Sequence, residues 1–123
     1  MQFNDTQLDA VQQFLQAGNL LAYPTEAVWG IGCDPFNETA VKQILAIKQR
    51  PIEKGMIVIT GDIAHIQSFL QPLSQQVVDS IAASWQSSDA QATTWLLPIP
   101  ASLQGKIPDW VTGGRDSLAI RVI

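Results

Sequence analysis

Two hydrophobic periods alternate along this chain, and the alternation restricts it to folds that layer helices against a sheet. Leu8, Val11, Phe14 and Leu15 recur at helical spacing, which predicts a helix over residues 7–17. Thr6 with Asp9 resembles a capping box, and Gly18 suits the C-cap. Leu20 to Tyr23 is a short apolar run stopped by Pro24, the pattern of a buried strand. Gly30 and Gly32 stand among Val28, Trp29 and Ile31, so Ala27 to Cys33 is expected to turn or bend where the backbone approaches something closely. Asn37 is placed to cap a second helix, Glu38 to Lys48, with Val41, Ile44 and Leu45 as its apolar face and Pro51 as its stop.

Met56 to Ile59 has the composition of a central strand. Asp62 is expected to cap a helix bearing Ile63, Ile66, Phe69 and Leu70, interrupted by Pro72. Ser74 opens another with Val77, Val78, Ile81 and Trp85. Gln86 to Gln91 is polar and reads as a loop, and Thr93 to Leu97 as a strand. Pro98, Pro100, Gly105 and Pro108 describe an irregular connection, and Gly113-Gly114 a turn. In Ser117 to Val122, Leu118, Ile120 and Val122 point one way, and Ala119 and Arg121 the other. Strands and helices interleave, so the expected class is α/β.

At 123 residues the chain has the size of one small domain, and 46% hydrophobic residues exclude a disordered one. Seven basic side chains against eleven acidic give a formal charge of -4, which argues against nonspecific DNA binding. A small cationic pocket needs few charges and stays open. One cysteine, Cys33, forms no internal disulfide, and with one histidine, His65, it offers too few soft ligands for a conventional zinc site. Cys33 is expected to be buried and structural, and His65 to sit at the surface. The start of the chain lacks the pattern of a secretory signal, and no segment approaches the ~20 apolar residues that span a bilayer. The expectation is a soluble cytoplasmic protein.

The densest polar cluster is Lys48, Arg50 and Lys54, three of the chain's seven cations within seven residues. Lysine supplies a point charge and arginine a forked contact, together the donors that a triphosphate requires while phosphorus is attacked. The same residues also read as a solvated helix end, with Lys48 snorkelling from the last turn. Neither a G-x-x-x-x-G-K-[ST] loop nor a G-x-S-x-G elbow is present, and Gly30-Ile31-Gly32 lacks the third glycine of a dinucleotide loop. Tyr23-Pro24-Thr25-Glu26 follows a strand, where open α/β sheets bind ligands, and it also reads as a simple strand-to-loop turn.

Together these elements closely resemble the YrdC/TsaC family, the bacterial threonylcarbamoyl-AMP synthases. The matching stretch is "YPTEAVWGIGCDPFNETAVKQILAIKQRPIEKGMIVI", Tyr23 to Ile59, with further agreement at "TTWLLPIP" and "GGRDSLAIRVI". The resemblance implies a single YrdC-like domain over residues 1–123, a twisted mixed β-sheet with flanking helices of the YrdC/DHBP-synthase type. It implies condensation of L-threonine, bicarbonate and ATP to threonylcarbamoyl-adenylate with release of pyrophosphate. Other threonylcarbamoyl-transfer proteins then carry the group to an adenosine of tRNAs that read codons beginning with A.

Carried over by resemblance, Lys48 and Arg50 hold phosphates and the acyl intermediate, with Lys54 in support. Thr25 belongs to the threonine end, Arg121 to the threonine carboxylate, and Thr94 lies near the nucleotide. A magnesium ion is implied by the phosphoryl chemistry; its ligands are unknown, with Glu26 as a neighbour.

Two departures from the family pattern bear on the expectation. The family's W-P-G-P-x-T stretch is replaced after Trp85 by Gln-Ser-Ser-Asp-Ala-Gln-Ala before Thr93 and Thr94. The family domain also continues past the A-x-R-V strand into an S-T-S-A-N element that helps hold ATP, whereas this chain stops at Ile123. It therefore reads as a domain truncated at its C-terminal end, with homo-oligomerisation as one way to cover the apolar surface. Two other readings stand beside the synthase. One is a catalytically impaired fragment or paralogue that binds a nucleotide or RNA. The other is a relative acting in a different carbamoyl-transfer pathway.

Overall fold

The computed structural model describes residues 2–25, 29–86 and 93–123. The chain divides into two compact units, Met1–Pro51 and Ile52–Ile123.

In the first unit, helix α1 spans Leu8–Gln16. The expected capping box does not form. The Thr6 hydroxyl donates to Asn4 Oδ1 at 2.6 Å, and Gln7 takes the N-cap position without a side-chain cap bond. The helix starts one residue later than a Thr6 cap requires, and the Thr6 hydroxyl is turned back to Asn4 instead of toward the helix amides. Phe3 packs edge-to-face on Phe14 with ring centroids 5.3 Å apart. Strands β1 (Leu21–Pro24) and β2 (Trp29–Gly32) pair antiparallel, with Tyr23 opposite Gly30.

The bend expected at Ala27 to Cys33 is thus a strand over its described part, and its glycines serve the Tyr23 ring. A Cβ on Gly30 would lie 3.0 Å from Tyr23 Cε2, and one on Gly32 would lie 2.8 Å from Cε1. Glycine is required because an aromatic ring lies flat on that face of the hairpin.

Helix α2, Glu38–Lys48, begins as expected: Asn37 Oδ1 accepts from the Ala40 amide at 2.9 Å. Ala40, Val41, Ile44 and Leu45 are its buried side. Its end differs from the sequence reading. Gln49 adopts the left-handed conformation (φ 52°), and the Arg50 amide donates to Leu45 O at 2.9 Å. The helix is therefore closed before Pro51 is reached, by a left-handed cap on a residue other than glycine.

In the second unit, a 3-10 turn at Ile52–Lys54 leads into β3, Ile57–Thr60. Asp62 Oδ1 accepts from Ala64 N at 2.9 Å and caps a 3-10 turn, Ile63–Ile66, that continues into the short helix α3, Gln67–Leu70. Helix α4 (Gln75–Gln86), strand β4 (Trp95–Pro98), the short helix α5 (Asp109–Thr112) and strand β5 (Ser117–Val122) follow. The polar stretch expected as a loop after Trp85 lies, over residues 87–92, outside the described residues.

The sheet order is β3-β5-β4, with β3 parallel and β4 antiparallel to β5. Among the described residues β5 is therefore the central strand and β3 an edge, the reverse of the expectation for Met56 to Ile59. The mixed, twisted sheet with flanking helices is the expected class. Ile66, Phe69, Leu70, Ile81, Leu97, Val111, Leu118 and Ile120 form its core, and Ile120 is fully buried. Two indoles fasten α4 to the approach and start of β4. Trp85 Nε1 donates to Thr93 O at 2.7 Å, and Trp95 Nε1 donates to Ser84 Oγ at 2.8 Å.

Candidate substrate and nucleotide site

The residues singled out from the sequence fall in both units: Thr25, Lys48 and Arg50 in the first, and Lys54, Thr94 and Arg121 in the second. Lys48 is the last residue of α2 and is exposed; Arg50, two residues beyond, is half-buried. The left-handed Gln49 separates them, so Arg50 leaves the helix direction while its own amide remains tied to Leu45 O. Both cations stand at the negative end of the helix dipole, which favours them there. An anion at this place must therefore be held by side-chain charge, since the orphan amides of a helix start lie at the other end. Thr25, half-buried, directly follows β1, whose last residue Pro24 pairs with Trp29. Glu26 lies outside the described residues.

In the second unit, strand alternation decides which way Arg121 faces. Leu118 and Ile120 point into the core, so Ala119 and Arg121 lie on the opposite face of β5. Ile59 is the partner of Arg121 on β3. On the other side Trp95 pairs with Ile120, and Thr94 precedes that strand, outside the paired residues. Arg121 is thus the charged group on the outer face of β5. That face is otherwise apolar: Ile57 and Leu96, both partners of Ala119, are 52% and 69% exposed.

Lys54 is at the other end of this sheet. It precedes β3, and its carbonyl accepts from Arg115 Nη1 at 2.7 Å before β5 begins. Six residues separate Arg115 from Arg121, roughly 20 Å of extended chain. Within this unit the structure does not bring Lys54 to Arg121.

Arg115 was not singled out from the sequence, nor was Gly55, and Gly113 was read only as part of a turn. The available signal was a glycine directly after a candidate cation, with a Gly-Gly-Arg run ahead of the last strand.

Cys33 is half-buried, less sequestered than expected. Burial, and secondarily the negative charge of Asp34, push its thiol above the usual range, which suits a structural side chain and opposes a nucleophilic one. His65 is exposed as expected, and its Nδ1 lies 2.7 Å from Thr60 Oγ1 at the end of β3. Among the described residues no group of three or more His, Cys, Asp or Glu could hold a metal ion, and no helix is long and apolar enough to cross a membrane.

This fold is shared with solved structures. A variant of P. abyssi Sua5 superposes with a TM-score of 0.76 at 25% identity, over 98% of this chain and 35% of that one. P. abyssi Sua5 complexed with L-threonine gives 0.75 at 24% identity, a likeness of fold, over 99% and 34%.

The protein class is narrower than the fold. The Sua5/YciO/YrdC family model, described as "Telomere recombination", matches residues 13–123, and the chain belongs to that family. It is 54% identical over 115 residues to a threonylcarbamoyl-AMP synthase of Psychrobacter cryohalolentis, covering 89% of this chain and 54% of that protein. It is 50% identical over 110 residues to the enzyme of the same name from Acinetobacter baylyi, covering 88% and 56%. The chain thus spans about half the length of these curated relatives.

Proposed function

We propose that this chain takes part in the synthesis of L-threonylcarbamoyladenylate from L-threonine, bicarbonate and ATP, for modification of tRNA. The observation that carries the reading is the 54% identity to an enzyme of that name over 89% of the chain, a span that necessarily includes residues 25–94. The family model covers residues 13–123, most of one unit and all of the other, which supports treating both as parts of one YrdC-like domain.

The threonine amine adds to carbon dioxide or bicarbonate and forms a carbamate, with water lost when bicarbonate is the source. A carbamate oxygen then attacks the α-phosphorus of ATP. The P–O bond to the β-phosphate breaks and pyrophosphate leaves. This step asks for alignment and charge neutralisation more than for a strong base. Lys48 and Arg50 neutralise the phosphates and the acyl intermediate, with Lys54 in support. Arg121 pairs with the threonine carboxylate, Thr25 serves the threonine end, and Thr94 the nucleotide. Magnesium would enter with the ATP phosphates, which supply oxygen ligands and leave few for the protein.

Supply of the product to tRNA-modifying proteins and a cytoplasmic location complete the reading. Pyrophosphate release in the presence of ATP, L-threonine and bicarbonate tests it, with release expected only when all three are present. The second reading is a nucleotide- or RNA-binding module without catalysis. It requires ATP or RNA binding with no pyrophosphate.

A further inference from the structure

We infer that Arg115 is a positioning residue for Lys54, holding the backbone of that lysine so that its ammonium group projects from a fixed point. The inference rests on the proposed role of Lys54 toward substrate phosphates. The segment Glu53–Gly55 lies directly on the C-terminal end of α5. A Cβ on Gly113 would come within 2.6 Å of Glu53 O and 2.8 Å of Gly55 N, and a Cβ on Gly55 within 2.9 Å of Thr112 O. Both glycines have positive φ, +71° at Gly55 and +70° at Gly113, so backbone meets backbone where no side chain fits.

The Met56 amide donates to Val111 O at 2.7 Å and fixes the exit of the segment toward β3. Buried Thr112 accepts from the Gly114 amide through Oγ1 at 3.1 Å, which fixes the turn that launches Arg115. Arg115 Nη1 then donates to Lys54 O at 2.7 Å, across 61 residues of sequence. Lys54 is exposed, and its carbonyl is held by a charged donor while the following residues are held by α5. A long side chain so anchored loses less freedom when it meets a phosphate.

The test is residue-resolved hydrogen exchange on the whole chain, comparing wild type with Arg115→Ala and Arg115→Lys. Loss of the Arg115 bond is expected to speed exchange at Gly55 and Met56 about tenfold. The Val58 and Ile120 amides should be unchanged, and Arg115→Lys should restore part of the protection. Unchanged exchange at Gly55 and Met56, or a uniform rise that includes the strands, overturns the inference.

ATP affinity supplies the functional arm. Arg115→Ala should weaken ATP binding severalfold in the wild-type background and add nothing in a Lys54→Ala background. Additive losses would make Arg115 an independent ligand and overturn the positioning role. A wild-type chain that binds no ATP refutes the proposed function, while exchange still decides whether Arg115 fixes the segment.

Discussion

Gly113 shows how little of a residue's reason is visible in its letter. The sequence marks Gly113-Gly114 as a turn, and the turn is there. The demand on Gly113, however, comes from Glu53, whose carbonyl occupies the space a methyl group would take. Gly113→Ala adds a left-handed penalty to a backbone collision, and the expected cost is about 3 kcal/mol, read from the urea midpoint. A loss below ~0.5 kcal/mol would contradict the close approach.

Tyr23 gives the same lesson. Gly30-Ile31-Gly32 reads as a bend where the backbone approaches something closely, and the neighbour is the Tyr23 ring, which lies across both glycines. Cys33 allows a pH test. Its raised thiol pKa means that the folded chain keeps a proton the unfolded chain releases. The associated stability is fully present below the unfolded pKa and is lost as pH rises toward the folded one. Iodoacetamide at mildly alkaline pH should alkylate Cys33 more slowly in the folded chain than in urea. Equal rates would contradict the burial and the Asp34 effect.

At the scale of elements, the start, buried face and extent of α2 were legible because its cap, apolar period and length agree. Its closure was not, since Gln49 is an unremarkable letter in a demanding conformation (φ 52°). Gln49→Gly relieves that conformation and is expected to stabilise the chain by about 0.5 kcal/mol, whereas Asn37→Ala removes the cap and costs about 1 kcal/mol. Thermal melts of the two variants should shift in opposite directions, and a common direction would contradict the cap assignments.

Strands carry a different kind of information. Alternation in Ser117 to Val122 correctly set Arg121 opposite Leu118 and Ile120, because side-chain period is local. It could not say that β5, and not β3, lies between two neighbours, because strand order is decided by partners distant in sequence. The pairing that sets Ile59 beside Arg121 belongs to the same class of information. Arg115 escaped notice for that reason too, its partner Lys54 being 61 residues away.

For the whole molecule, the acidic balance of -4 coexists with a small set of placed cations, and this suits a nucleotide better than a long nucleic-acid surface. Composition could exclude classes of function. Threonine, bicarbonate and ATP enter only through the family likeness, and the roles of the cations belong to the same proposal. Lys48 and Arg50 follow one another across a left-handed residue, whereas Lys54 and Arg121 stand at opposite ends of one sheet. The first pair is therefore expected to govern the chemical step and Arg121 the affinity for threonine. Arg121→Ala should raise the KM for threonine at least tenfold with a smaller effect on the KM for ATP. Equal effects on both substrates would move Arg121 away from the threonine carboxylate.

The most direct measurement is pyrophosphate release by the purified chain, with ATP, L-threonine and bicarbonate omitted one at a time. The account predicts release that requires all three and is lost in Lys48→Ala and in Arg50→Ala. A folded chain that releases no pyrophosphate and binds neither ATP nor L-threonine would contradict it.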